Sequence, residues 1–143
     1  MALPDPEPAL VIRYAYLWWD EARRGQEEGI KDRPAVIVLT TASQAGTTWV
    51  VVAPITHVEP TEAAHGVEIP PLTKKRLGLD DGRSWIVISE LNRFAWPGPD
   101  IRPTDEPGNF AYGYLPAALF DKVVQQLRNN LATSPSRMVT RSD

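Results

Sequence analysis

Short apolar runs separated by proline and glycine dominate the first hundred residues of the chain. Runs of this length, rich in β-branched residues and bounded by turn formers, predict β-strands. The predicted strands are Ile12 to Trp19, Pro34 to Thr41, Thr47 to Thr56, Gly66 to Ile69 and Ser84 to Glu90. The segment from Asp20 to Asp32 is charged, and we predict a connection whose first half can form a helical turn.

The last apolar segment has a different period, with apolar residues at i, i+3, i+4, i+7 and i+11. These residues are Phe120, Val123, Val124, Leu127 and Leu131. The spacing predicts one face of a helix, and Pro116 suits the first helical position. A shorter helical turn is predicted from Leu72 to Leu79, and an irregular stretch begins at Pro97. The chain is therefore expected to be mainly β with a C-terminal helix, as a small barrel or half-barrel.

Length and composition favour a single domain of 143 residues, of which 43% are hydrophobic and 23% charged. We assign residues 1–9 to a disordered N-terminal segment, 10–131 to the barrel with its closing helix, and 132–143 to a flexible tail. The N-terminus has neither a basic start nor an apolar core, so no signal peptide is predicted. No apolar run approaches the ~20 residues that cross a membrane, and a cytoplasmic protein is expected.

The composition also narrows the chemistry. The chain has no cysteine, which excludes disulfides, thiolate metal sites and a cysteine nucleophile. His57 and His65 have no second strong ligand at metal-binding spacing, so we predict neither a metal nor another cofactor. The net charge of −3 argues against broad nucleic-acid binding but allows a short single-stranded site.

Polar side chains stand at the ends of the predicted core strands. Arg33 precedes the second strand, Thr56 and His57 end the third, and Glu90 ends the fifth, followed by Arg93. Rigid strands commonly deliver functional side chains to loops. A guanidinium, a hydroxyl and a carboxylate or imidazole can together bind a phosphodiester and assist attack by the 2′-OH of RNA.

The order of these pieces resembles the PemK/MazF toxins of type II toxin–antitoxin systems. The resemblance rests on Arg33-Pro34 before an apolar strand, and on Val51-Val52-Ala53-Pro54-Ile55-Thr56. It continues through Ile86-Val87-Ile88-Ser89-Glu90-Leu91-Asn92-Arg93 and through Tyr114-Leu115-Pro116 into the helix, and covers roughly Leu10 to Leu131. Glu90 stands where the family has an aspartate, Leu91 replaces a glutamine, and Ile88 replaces an arginine found in some members.

The resemblance implies a homodimeric SH3-like barrel that cuts single-stranded RNA without a metal and is neutralised by a cognate antitoxin. It implies that Arg33 binds the phosphate, that Thr56 is the catalytic hydroxyl, and that Glu90 takes the place of an aspartate used by some members. Our own hypothesis is that Glu90 or His57 accepts the 2′-OH proton. Arg93 matches a further family arginine. The basic run of Lys74, Lys75 and Arg76 is expected to be exposed and is a candidate contact for the RNA backbone.

Other interpretations of the same residues stay open. Arg33 can pair with a neighbouring acid across its loop, and Glu90 can form a structural ion pair with Arg93. The five tryptophans are expected mainly in the core, although one can stack on a base. The whole domain can instead be a non-catalytic toxin that poisons a protein such as a topoisomerase, or a decayed toxin.

Overall fold

The computed structural model describes residues 3–25, 31–133 and 135–141. The described strands are β1 (Leu10–Tyr14), β2 (Arg33–Ala42), β3 (Thr48–Thr56), β4 (Gly66–Glu68), β5 (Trp85–Val87), β6 (Glu90–Trp96), β7 (Ile101–Arg102), β8 (Ala111–Tyr114) and β9 (Arg137–Thr140). The described helices are α1 (Trp19–Arg23), α2 (Pro71–Leu77), α3 (Ala117–Leu131) and a 3₁₀ helix (Ala63–His65). Parts of three predicted segments lie outside the described residues: 1–2 of the N-terminus, 26–30 of the charged connection, and 134 and 142–143 of the tail.

The described strands form one sheet, and the expectation of a mainly β protein with a C-terminal helix is confirmed. The main path runs β4-β5-β3-β2-β1-β7; β6 also pairs with β3, β8 with β1, and β9 with β6. All these pairs are antiparallel except β6 with β9. Among the described residues the sheet does not close into a barrel, because β1 and β3 each pair with two short strands along one side and the sheet forks there.

The predicted strand from Ser84 to Glu90 is instead two strands. β5 pairs with the end of β3 at Ile55 and Thr56, whereas β6 pairs with the earlier part of β3, from Thr48 to Val52. The chain therefore turns a corner between Val87 and Glu90, and Glu90 begins a strand rather than ending one.

Two apolar clusters cover the two faces of the central strands. One contains Val36, Val51 and Ile55, and α3 packs on it through Leu119 and Val123. The other is built around fully buried aromatic and β-branched side chains: Ile12, Tyr14, Tyr16, Ile37, Val52 and Phe94. Because both faces are covered, the central strands are continuous apolar runs rather than alternating ones.

Both ends of the chain contribute to the sheet where sequence analysis placed disorder. Ala9 donates its N–H to the carbonyl of Ile37 and accepts a hydrogen bond from the N–H of Leu115. Four residues of the predicted flexible tail form β9, and Arg141 directly after it is 5% exposed. Its guanidinium donates to the carbonyl of Ala15 at 2.7 Å and pairs with Asp100 at 3.0 Å. No helix in the described ranges is long and apolar enough to span a membrane.

Candidate functional site

Three of the predicted site residues line one cleft of about 470 Å³, which we call the strand-end cleft. Arg33, Thr56 and Glu90 line it together with Trp18, Pro60 and His65. Arg33 is the first residue of β2 and Thr56 the last of β3; the register that pairs Ala35 with Pro54 places them opposite each other. Glu90 joins them because the corner before β6 brings its first residue to the same end of the sheet.

The alternation of side chains along a strand explains why these three residues meet. Arg33 has the same parity as Ala35 and Ile37, and Glu90 the same parity as Phe94, so both side chains belong to the face of the second apolar cluster. Thr56 belongs to that face as well, through Val50 and Val52 on β3. The three strand ends therefore deliver a cation, a hydroxyl and a carboxylate to one side of the sheet.

Arg33 is held beside an aromatic ring with part of its hydrogen-bonding capacity unused. Its guanidinium carbon lies 4.9 Å from the ring centroid of Trp18. Its Nε is buried and has no hydrogen-bond partner among the described residues. Burial lowers the pKa of Arg33, while the carboxylate of Glu21 opposes that shift. A half-buried guanidinium that lines a cleft is suited to bind an anion.

Glu90 is a half-buried carboxylate whose position is set by α1. Its Oε1 accepts hydrogen bonds from the backbone N–H of Trp19 at 2.9 Å and from the hydroxyl of Tyr16 at 3.3 Å. The backbone N–H of Trp18 donates a hydrogen bond to the side chain of Glu21 at the start of α1. This bond fixes the first turn of the helix and with it the position of the N–H of Trp19. Burial raises the pKa of Glu90, and these two hydrogen bonds only partly offset it. A carboxyl group with a raised pKa is a stronger base than an exposed one.

Thr56 contributes a buried hydroxyl with a defined role in hydrogen bonding. Its Oγ1 accepts from the N–H of Val58 at 3.2 Å. A hydroxyl that accepts in this way still has its own proton to donate. It can therefore donate to an oxygen atom of a ligand bound in the strand-end cleft.

The side chain of His57 does not line the strand-end cleft, but it lines a second cleft of about 250 Å³ that Arg33 and Thr56 also border. Its Nε2 lies 2.7 Å from Oδ2 of Asp80, and its Nδ1 lies 2.8 Å from the carbonyl oxygen of Arg83. A carbonyl oxygen only accepts hydrogen bonds, so Nδ1 carries a proton, and Nε2 faces a carboxylate. Neither nitrogen is then available to take a proton from a substrate.

The expected exposure of the basic run is wrong for Lys74, while Lys75 and Arg76 are exposed. Lys74 is 4% exposed, and its ammonium donates to Asp80 at 2.6 Å, to Ser84 at 2.7 Å and to the carbonyl of Gly82. The cause is the position of α2, which turns Lys74 toward the loop before β5. The hydrogen bonds of Lys74 therefore join α2 to the loop before β5.

Arg93 lies on the other face of β6 from Glu90, because residues three apart in a strand point to opposite sides. Its guanidinium carbon is 3.9 Å from the ring centroid of Trp49. The structural ion pair between Glu90 and Arg93 is therefore excluded by geometry. Arg93 is not a lining residue of the strand-end cleft.

His65 lines the strand-end cleft and was not singled out by sequence analysis. Its Nε2 lies 2.9 Å from Oε2 of Glu62, three residues earlier. Gly66 follows it, and a Cβ there would lie 2.5 Å from Cγ of Pro60, so glycine allows this wall of the cleft to pack closely. The usable signal in the sequence was the Glu62-x-x-His65-Gly66 spacing. Within the described ranges, no group of three acidic, histidine or cysteine residues could hold a metal ion.

No protein family and no curated protein matches this chain. The chemistry of the strand-end cleft therefore rests on its geometry: a half-buried cation, a hydroxyl, and a carboxyl group of raised pKa around one cavity. Such a set can neutralise a phosphate and accept a proton from a nearby hydroxyl group.

Proposed function

We propose that this protein is a metal-independent endoribonuclease that cuts single-stranded RNA, and that it acts as the toxin of a toxin–antitoxin pair. The observation that supports the proposal is the convergence of Arg33, Thr56 and Glu90 on the strand-end cleft from three different strands. The resemblance to the PemK/MazF toxins assigns functional roles to the same three positions. Two independent considerations thus favour one site.

The proposed reaction is attack of a ribose 2′-oxygen on the adjacent phosphorus. Glu90 accepts the 2′-OH proton, the O2′–P bond forms and the P–O5′ bond breaks. The products are a 2′,3′-cyclic phosphate and a free 5′-OH after protonation of the leaving oxygen. Arg33 balances the negative charge that grows on the non-bridging oxygens, and Thr56 donates a hydrogen bond to one of them.

The proposal extends to assembly and control. We infer that the sheet is related to SH3-like barrels and that the protein forms a homodimer in the cytoplasm. We also infer an antitoxin that covers the strand-end cleft. Val58, at the rim of that cleft, is 74% exposed and gives an apolar contact for such a partner. An apolar side chain this exposed beside a polar site is typical of a binding surface.

The deciding experiment is a cleavage assay on defined single-stranded RNA oligonucleotides with EDTA present. The wild-type protein is expected to cut, and Arg33→Ala is expected to cut about 100-fold to 1000-fold more slowly, because one charge-stabilising group is lost. Arg128→Ala, an exposed arginine on α3, is the matched control and should cut normally. Far-UV circular dichroism and a thermal melt check that each variant is folded.

Undiminished cutting by folded Arg33→Ala would contradict the role of this arginine. Failure of the wild-type protein to cut any oligonucleotide, together with growth arrest on expression, would favour the non-catalytic toxin. In that case the captured target is expected to be a protein such as a topoisomerase.

A further inference from the structure

Cleavage by a 2′-oxygen requires two proton transfers, and Glu90 accounts for only one of them. The second proton must reach the leaving 5′-oxygen, because an alkoxide is a poor leaving group in water. We propose that His65 is the catalytic residue that supplies this proton. The inference rests on the proposed function and assigns a residue that the PemK/MazF resemblance does not.

The backbone places His65 beside the corner that carries Glu90. The carbonyl oxygen of His65 accepts a hydrogen bond from the N–H of Ile88 at 3.0 Å, and Gly66 pairs with Val87 at the start of β4. Ile88 is two residues before Glu90. The imidazole and the carboxylate are therefore attached to hydrogen-bonded backbone on one side of the strand-end cleft, and both line it.

Glu62 gives the imidazole of His65 a fixed orientation. Its carboxylate lies 2.9 Å from Nε2 of His65, one turn earlier in the chain. A carboxylate in this position holds the ring in place through Nε2. In the proposed step, Nδ1 is therefore the ring nitrogen that passes a proton to the substrate.

The other donors that line the cleft are poor sources of a proton. The guanidinium of Arg33 keeps its protons under all ordinary conditions, and the hydroxyl of Thr56 would have to become an alkoxide. Histidine is the residue type that exchanges protons near neutral pH. The second histidine, His57, is bound through both ring nitrogens outside the cleft.

The two proposed proton transfers need only the carboxylate and the imidazole that line the strand-end cleft. As the O2′–P bond forms, the 2′-OH proton moves to the carboxylate of Glu90. As the P–O5′ bond breaks, the proton on Nδ1 of His65 moves to the 5′-oxygen. Solvent then returns the proton of Glu90 and reprotonates His65, so the enzyme is restored without any other reactant.

The test compares a natural oligonucleotide with one in which sulfur replaces the 5′-oxygen at the cut position. A thiolate leaves without a proton, so the sulfur substrate needs no general acid. His65→Ala is expected to cut the natural RNA about 100-fold more slowly than wild type but to cut the sulfur substrate within about 3-fold of it. Glu90→Gln is expected to be slow on both substrates, because both reactions need a base.

A structural role for His65 would give different results. Equal losses on both substrates, or full activity of His65→Ala on natural RNA, would overturn the assignment. Added imidazole should partly restore the cutting of natural RNA by His65→Ala and should leave Glu90→Gln unchanged. If wild-type protein cuts neither substrate, the proposed function itself fails; if wild type cuts and only these differences are missing, the role of His65 alone fails.

Discussion

Thr56 and His57 are consecutive residues, yet they belong to two polar regions that differ in almost every respect. Thr56 lines the strand-end cleft with Arg33 and Glu90. His57 belongs to what we call the closed network, formed by His57, Lys74, Asp80 and Ser84. Thr56 and Arg33 also border the second cleft beside His57, so the two regions adjoin each other and differ in how their polar groups are satisfied.

The closed network satisfies its charges internally. Lys74 donates to Asp80 and Ser84, and His57 bridges Asp80 and a backbone carbonyl. Burial alone would raise the pKa of Asp80, but the hydrogen bonds from Lys74 and His57 outweigh it, and the pKa is lowered. Lys74 and His57 thus favour the charged form of Asp80, which is the behaviour expected of a structural contact.

In the strand-end cleft, burial makes the charged forms of Glu90 and Arg33 less favourable. Burial raises the pKa of Glu90 and lowers the pKa of Arg33, so desolvation disfavours the charged form of each. Nε of Arg33 also lacks a partner in the described part of the chain. Polar groups kept in this state usually serve a ligand or a reaction. Satisfaction of the charges, rather than their number, separates this candidate site from the structural cluster beside it.

The largest effect that distinguishes the two regions is expected from Glu90→Gln. RNA cutting should fall about 100-fold or more because the proton acceptor is lost. In the wild-type protein, cutting should decline in acid as Glu90 becomes protonated, at a pH above its ordinary pKa of 4.5 because burial raises that pKa. A pH–rate profile of both proteins measures this effect, and full activity of the glutamine variant would remove Glu90 from the mechanism.

Glu90→Gln also tests how much the buried negative charge of Glu90 lowers the free energy of unfolding. A raised folded-state pKa means that the protonated form of Glu90 favours folding below pH 4.5 and that this contribution is lost as pH rises through the folded pKa. Glu90→Gln should therefore be at least as stable as wild type at pH 7, with the gain disappearing in acid. Urea unfolding at both pH values measures it; a large loss at neutral pH would assign Glu90 a structural role.

A smaller effect, of the opposite kind, is expected in the closed network. Lys74→Ala should lower the free energy of unfolding by about 1–3 kcal/mol, because the buried hydroxyl of Ser84 and the carbonyl of Gly82 lose their donor. RNA cutting per folded molecule should change little. Lys75→Ala, an exposed neighbour on α2, is the matched control and should stay within about 0.5 kcal/mol of wild type. Unchanged stability of Lys74→Ala would show that the network does not stabilise the fold.

The smallest effect is expected at Arg93, which belongs to neither region. Arg93→Ala removes a guanidinium stacked on Trp49 and should cost about 0.5–1 kcal/mol of stability. Its RNA cutting should stay within about 3-fold of wild type, because the side chain lies on the opposite face from Glu90. A loss comparable to that of Arg33→Ala would show that RNA also contacts this second face.

The central strands and the last helix could be predicted because their patterns reflect burial alone. β2, β3 and α3 lie within two residues of the predicted bounds. Arg33 and Thr56 lie opposite each other because of the antiparallel register of β2 and β3. This could be predicted from the sequence, since both residues stand at the ends of predicted strands. These features depend on local periodicity and on the pairing of consecutive strands.

The remaining features depend on contacts between distant segments. The corner at Ile88 and Ser89 exists because β3 offers different parts of one side to β5 and β6. The burial of Lys74 depends on the loop before β5, and the sequence around it is that of an exposed helix. The sequence of β9 has no apolar pattern that predicts its pairing with β6, since only Val139 among the four residues of β9 is buried. Such contacts have no local signature.

The anchoring of Arg141 to Ala15 has a consequence for how the molecule is made. The hydrogen bond joins residues separated by 126 positions, so a ribosome must add all the residues between them before the two can meet. Folding that depends on such distant partners is slow compared with that of helical proteins. A nascent chain therefore exposes the unpaired edge of β6 until β9 has been synthesised, and a cell that produces this protein must tolerate that interval.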